Sequence, residues 1–330
     1  MVGRTMTGMG KVLRHRIAKS LLVLACIALL NFFLVRAAPG DPALILAGQS
    51  GAVDAGTLAQ LRQDLGLDRP LPAQLGSYLW GLAQGDLGVS HRQQAPVLSL
   101  ILAHLPATLL LTVTAYLFAL AAGVGLGLAA AARAGRWTDN AVMTLALLAY
   151  ATPLFWIGLM AVLVFSVQWQ WLPAFGYETV GAAYTGWARV LDIGRHLLLP
   201  ALTLGLFHMA VYARLTRASV LSVRRLDFVR TARAKGLPER DIARRHVLRN
   251  ALLPLITYAG IQAGNLVGGS LVVETVYAWP GIGRLAYEAL MQRDYNLLLG
   301  VFLIASVLVV LINLLTDLLY TLADPRIELT

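Results

Sequence analysis

Long stretches of this 330-residue chain carry no charge, and their length limits what it can fold into. A helix needs about 20 apolar residues to cross the hydrocarbon of a bilayer. Six runs meet or approach that length: Ile17–Val35, Leu105–Ala131, Ala141–Val167, Leu197–Ala213, Leu252–Val273 and Leu297–Leu319. With 58% hydrophobic and 13% charged residues, the composition does not suit a soluble domain. The fourth run is the shortest and is expected to continue helically past Arg214, whose long side chain can snorkel to the interface. The expectation is an all-α membrane protein with about six transmembrane helices.

Lys and Arg placement sets the orientation. Arg4, Lys11, Arg14, Arg16 and Lys19 precede the first run. With the N-terminus inside, 19 of the 27 basic residues fall on the inner side, so both termini are placed in the cytoplasm. At 19 residues the first run exceeds the 7–15 of a cleaved signal's apolar core and reads as an uncleaved span. Cys26, the only cysteine, lies within it, which excludes an intrachain disulfide or a cysteine-based metal site. A pI near 10.1 raises nucleic acid as a partner. The positive-inside bias already accounts for that charge, and no nucleic-acid motif accompanies it.

The spans divide the chain into an N-terminus with its first helix (1–38), an external loop subdomain (39–103), a core of five helices (104–321) and a cytoplasmic tail (322–330). Within the external loop, Leu58–Leu65 is amphipathic and ends at Gly66, a natural helix stop, while Leu79, Trp80 and Leu82 suit a membrane surface. Residues 168–195 gather Trp169, Trp171, Phe175, Tyr177, Tyr184 and Trp187. They read as an interfacial aromatic belt, with contact to substrate or a delivering partner as the alternative. Gly123, Gly125 and Gly127 lack the strand and the spacing of a dinucleotide loop and are read as a close helix–helix contact.

Residues 214–250 hold 11 Lys and Arg against only Asp227, Glu239 and Asp241, which is +8 of the chain's formal +10. Their order carries punctuation. Asp227 is placed to N-cap a helix of about two turns. Gly236 suits the left-handed C′ position, Leu237 follows at C″, and Pro238 stops one helix and opens another. A short helix, a sharp corner and a second helix on a membrane protein's face form a docking element.

Chemistry-bearing groups are sparse. No charge lies near the centre of a run; Glu274 and Asp317 are peripheral, and Asn31, His104 and His208 read as partners in helix–helix hydrogen bonds. There is no metal-ligand spacing, no Gly-x-Ser-x-Gly and no His-Glu-x-x-His. A phosphate loop is missing too: of Lys11, Lys19 and Lys235 only Lys11 follows a glycine, and Thr5 occupies its first glycine position and Val12 its hydroxyl position. The chain is therefore not expected to be an enzyme, and if it transports a solute with an energy source, that energy has to arrive from another chain. Glu274 stands just before Tyr277, Trp279 and the Pro280-Gly-Ile-Gly283 turn. Its carboxyl either anchors that re-entrant turn or faces a pathway and pairs with a cation.

Thr231-Ala-Arg-Ala-Lys-Gly236, followed by Arg249-Asn-Ala-Leu-Leu-Pro254, resembles the "EAA" loop of permease subunits of bacterial binding-protein-dependent ABC importers, in their peptide/nickel branch. The resemblance extends through Arg36–Pro42, Leu65-Gly-Leu-Asp68, Gly85-Asp-Leu-Gly88, Glu274–Gly283, Arg293-Asp-Tyr295 and Ala323–Ile327. Thr231 stands where the general motif has Glu, and 16 residues separate Gly236 from Leu253. The resemblance implies the type I importer permease fold in the bacterial inner membrane. It implies a second homologous permease, two ATP-binding subunits (identical or different) and a periplasmic substrate-binding protein as partners. No cofactor is expected in this chain, ATP and Mg being bound by the partners. Asp227, Phe228, Val229, Thr231, Ala232, Lys235, Gly236 and Leu237 would form the ATPase-coupling loop, with Phe228, Val229 and Ala232 as its apolar stripe. Glu274, Tyr277 and Trp279 are candidates for the outer gate. Di- or oligopeptide import by alternating access is the implied role, with nickel or a metal chelate as the alternative. A secondary carrier needing no ATPase, or a membrane scaffold, is the competing class, and the missing intramembrane charges weigh against the carrier.

Overall fold

The computed structural model describes residues 3–37, 55–64, 68–90 and 92–323. Helix α1 (Gly3–Ala37) contains the first apolar run. Two short helices, α2 (Ala55–Asp64) and α3 (Leu71–Ala83), precede an antiparallel hairpin of β1 (Val89–Ser90) and β2 (Ala95–Pro96). Then come α4 (Val97–Ala132), α5 (Trp137–Ala151), α6 (Leu154–Ala161, continued by wide π-helical turns at Val162–Gln168) and α7 (Gly186–Val223). Helix α8 (Asp227–Ala234) is short. Helix α9 (Glu239–Asp241) passes through wide turns at Ile242–Leu248 into α10 (Arg249–Val276). Helices α11 (Ile282–Met291) and α12 (Tyr295–Ala323) complete the described chain.

Among the described residues, α4, α7 and parts of α1 and α12 are long and apolar enough to cross a bilayer. The expected fifth run, Leu252–Val273, lies inside α10. The third run is not one straight span: α5 and the helix Leu154–Gln168 meet at 104°. Pro153 has no N–H to continue α5, and Thr152 before it adopts extended backbone (φ −81, ψ 134), as the steric demand of a following proline requires. The fourth run continues helically past Arg214 to Val223, as expected, and its helix α7 also starts earlier than expected, at Gly186. The amphipathic Leu58–Leu65 stretch falls largely in α2, while Leu65 and Gly66 lie outside the described residues.

Contacts gather the chain into two units. One comprises Met1–His104 and Leu285–Val310. In it the Asn31 amide donates to the Leu299 carbonyl of α12 at 3.3 Å, the helix–helix bond anticipated for Asn31. Buried Ser90 donates to Asp294 at 2.5 Å, and the other Asp294 oxygen accepts the Leu297 N–H at 3.2 Å. The Arg293-Asp-Tyr295 motif thus fastens the hairpin to the corner before α12. His104 differs from expectation: its Nδ1 lies 2.8 Å from Leu100 O in its own helix.

The second unit holds Leu105–Arg284 and Leu311–Glu328. Here α4 and α7 approach through glycine. A Cβ at Gly123 would stand 2.5 Å from Tyr212 Cβ, and one at Gly127 would stand 2.5 Å from Thr216 Cβ and 2.6 Å from Ala213 O. Gly125 faces open space, so only the outer two of the three glycines serve this contact. Arg217 of α7 binds Asp139 of α5 through both nitrogens at 2.5 and 2.7 Å, and Asp139 also accepts the Gly135 N–H at 2.9 Å. His208 Nδ1 lies 3.1 Å from the Gln262 amide, joining α7 to α10 as anticipated.

Gly127→Val is expected to lower the thermal stability of the purified chain, because overpacking against a backbone carbonyl costs about 1–3 kcal/mol. Gly125→Ala should leave the melting temperature unchanged within a degree or so, since Ala is the better helix former and meets no neighbour. A scanning-calorimetry or thermal-shift comparison of the two variants checks this; equal behaviour would contradict the α4–α7 contact.

Candidate functional site

The corner after α7 is built by local backbone rules. Leu226, extended at φ −74 and ψ 149, is the N-cap of α8, and Asp227 occupies the first helical position without a side-chain cap bond. The expected Asp227 cap is therefore corrected by one residue. Its charge still favours the positive helix start, and it approaches Arg230 at 3.6 Å, an exposed pair of little energetic weight. At the other end Gly236 has φ +77. Its N–H reaches Arg233 O at 2.9 Å and the Leu237 N–H reaches Ala232 O at 3.3 Å, the double bond of a Schellman stop. Nothing lies within 4 Å of a Cβ placed on Gly236, so backbone conformation alone selects glycine there. Pro238 N-caps α9. Arg233 donates to Glu239 at 2.6 Å across the corner, and this bond holds the Glu239 carboxyl below its usual range.

Packing decides which side of α8 is available. Val229 (0% exposed) and Ala232 (5%) are buried against Val220, Val223, Ile242, Val247 and Ala251 of this same chain. The expected outward stripe is thus corrected: Val229 and Ala232 anchor α8, while Phe228 and Leu237, each 40% exposed, face outward. Asp227, Thr231, Lys235 and Gly236 are exposed beside them. The Thr231 hydroxyl donates back to Asp227 O at 3.0 Å, within its own helix. Ser219 donates to Ala251 O at 2.8 Å and Arg224 to Ala131 O at 2.9 Å, which ties the base of the corner to α10 and α4.

The Glu274 end has a different character. Glu274 and Trp279 are 0% exposed and Tyr277 1%, so none of the three faces an open path in this conformation. The Glu274 carboxyl accepts the Thr108 hydroxyl at 2.8 Å and the Arg284 N–H, in the first turn of α11, at 3.0 Å. Thr108 in turn accepts the Ile282 N–H at 2.8 Å. Gly281 and Gly283 bring the chain against the carboxyl so closely that a Cβ at either would collide with it. Trp279 donates to Ala107 O at 2.8 Å and Tyr277 to Gly158 O at 3.2 Å. Tyr177 packs on Trp279 with ring centres 4.9 Å apart. This is the anchoring geometry, in which a carboxyl caps a helix start and pins the re-entrant turn. Sequence reasoning missed Thr108 and Arg284 as partners; the two glycines after Pro280 were the available signal of a close approach.

Among the described residues no cluster of His, Cys, Asp or Glu has the arrangement of a metal site. The geometry offers two devices on one helical membrane body: a rigid exposed corner, and a buried clasp around a re-entrant turn. A polytopic permease is the class these define. Residues 123–329 match the binding-protein-dependent transport system inner membrane component family, and residues 9–112 match the N-terminal region of such membrane components. The chain belongs to that family. A Brucella abortus (strain 2308) protein named for a peptide transport system permease is 39% identical over 320 residues, covering 97% of this chain and 99% of its own length. The dipeptide transport system permease protein DppB of Escherichia coli (strain K12) is 39% identical over 319 residues, covering 92% and 94%. The inward-facing MetNI methionine ABC transporter shares the fold, with a TM-score of 0.53 at 20% identity, covering 68% of this chain and 96% of that one.

Proposed function

We propose that this chain is the permease subunit of an ATP-driven importer of di- or oligopeptides. The dipeptide and peptide permeases that match nearly its full length support that substrate class. Nickel or a chelate remains the alternative within the same architecture. The observation that carries coupling is the exposed corner of Phe228, Gly236 and Leu237 on a base buried in the chain's own core. A docking helix has to transmit a push, and burial of Val229 and Ala232 prevents it from yielding. Two ATP-binding subunits holding ATP and Mg, a second permease and a periplasmic binding protein complete the assembly. The Glu274 clasp belongs to the outer gate in its closed state. Residues 1–38, 39–103, 104–321 and 322–330 serve as first span, external subdomain, core and inner tail.

Cross-linking tests the docking. In a Cys26→Ser background, Phe228→Cys should form a cross-link with an ATP-binding subunit of the purified complex. A cross-link that never forms, in a complex that still hydrolyses ATP, would remove α8 as the contact.

Orientation is tested separately. Tyr184→Cys should react with an impermeant thiol reagent applied outside intact cells, whereas Pro238→Cys should react only after permeabilisation. Labelling of position 238 from outside would reverse the topology.

A further inference from the structure

A pocket of about 310 Å³ opens beside the corner, lined by Leu128, Val220, Arg224, Arg240, Ala243, Arg244, Val247 and Leu248. Its chemistry is divided. Three arginines and no acidic residue line it, while the remaining walls are aliphatic. Arg224 has one nitrogen committed to Ala131 O. Arg240 and Arg244 are exposed and stand four residues apart on one continuous helical segment. The nearby Glu239 carboxyl accepts Arg233 and also lies within electrostatic reach of Arg224, so it offsets part of the cluster's charge. Three arginines around one pocket leave a net positive charge there, and an anion would offset it.

The depth of the pocket in the membrane indicates which anion. Leu128 lies in the last turns of α4, inside an uncharged run that ends just before Arg133. Trp137, 78% exposed, begins the next helix, as interfacial aromatics do. The pocket therefore sits where hydrocarbon gives way to headgroups. A ligand matching it has a phosphate for the arginines and an apolar body for Leu128, Val220 and Val247. We infer that this pocket binds the phosphate headgroup of an anionic phospholipid of the inner leaflet, with its glycerol and upper acyl chain on the aliphatic wall. Arginine suits phosphate through its planar fork of donors, and basic pockets between helices on the cytoplasmic side bind such headgroups. A bound lipid would brace the ends of α4 and α7 against the segment that carries the corner. The inference rests on the inward orientation proposed above, which labelling at position 238 tests independently.

Native mass spectrometry of the full chain in neutral detergent, titrated with phosphatidylglycerol or phosphatidylcholine, tests it. One phosphatidylglycerol should be retained with a preference of about tenfold or more, each arginine near a lipid phosphate being a substantial attraction. The double variant R240Q/R244Q should bring the two lipids to near parity, while R69Q/R195Q, which removes the same charge elsewhere, should keep the preference. Equal preference in R240Q/R244Q and the unchanged chain would overturn the assignment. Displacement of the lipid by millimolar inorganic phosphate would overturn the lipid as ligand and leave a free-phosphate site. Loss of the lipid on assembly with the ATP-binding subunits would also overturn it, by giving the pocket to that interface.

Discussion

Gly236→Val should abolish ATP-driven uptake while the chain still inserts and assembles. Glycine holds φ +77 in the Schellman stop, a region where a β-branched residue is strained by about 1–2 kcal/mol. That strain is too small to unfold a membrane core, but it is enough to reshape a corner. To escape it, the chain must rotate to negative φ and lose the Gly236–Arg233 and Leu237–Ala232 backbone bonds. The exposed Leu237 is then displaced, and the 2.6 Å Arg233–Glu239 bond across the corner is pulled apart. Val229 and Ile242 fasten the two arms to the same core, so the displacement is concentrated at the exposed tip. Transport-coupled ATP hydrolysis should fall at least about tenfold, as misplacement of a positioned group by an ångström or so commonly does. Gly236→Asn should retain part of the activity, because Asn tolerates the left-handed region. Assay of uptake and stimulated hydrolysis on the same purified complex checks both variants. Normal coupling in an assembled Gly236→Val complex would refute the role given to the corner.

Glu274→Ala should destabilise the core far more than any surface change. Removing the carboxyl leaves the Thr108 hydroxyl and the Arg284 N–H without their acceptor in a buried site, at a cost of about 1–3 kcal/mol for each unsatisfied group. It also opens a void between Gly281 and Gly283, which pack directly on that side chain. The measurable outcome is loss of folded yield and a lowered melting temperature. Glu274→Gln separates anchoring from charge. Its carbonyl can accept the Arg284 N–H, while its amide donates to Thr108 Oγ, so assembly should persist. Assembly of Glu274→Ala with an unchanged melting temperature would show that the clasp does not hold the turn.

What the sequence revealed was mostly local. The Gly236 stop depends on φ at one residue and on bonds spanning five, and both are encoded in the Ala-Lys-Gly-Leu-Pro order. The small-residue reading of Gly123 and Gly127 succeeded for the same reason, although Gly125 faces outward because a helix turns about 100° per residue. The break in the third span had its signal in Thr152-Pro153, and the uncharged run concealed it. Partners distant in sequence were not legible. Thr108 meets Glu274 across 166 residues, and Asp139 meets Arg217 across 78. The amphipathic face of α8 was legible as apolar, but not as belonging to this chain's core; periodicity shows which face is buried and never against what.

In the importer proposed here, ATP-binding subunits push on the Gly236 corner and so supply the energy that moves solute. Uptake of a labelled dipeptide into proteoliposomes holding the complete complex tests it most directly. The expected result is uptake that requires ATP on the Gly236 side and the binding protein on the opposite side, and that disappears when the ATP-binding subunits are omitted. Uptake by this chain and its partner permease alone, driven by a proton or sodium gradient without ATP, would contradict it.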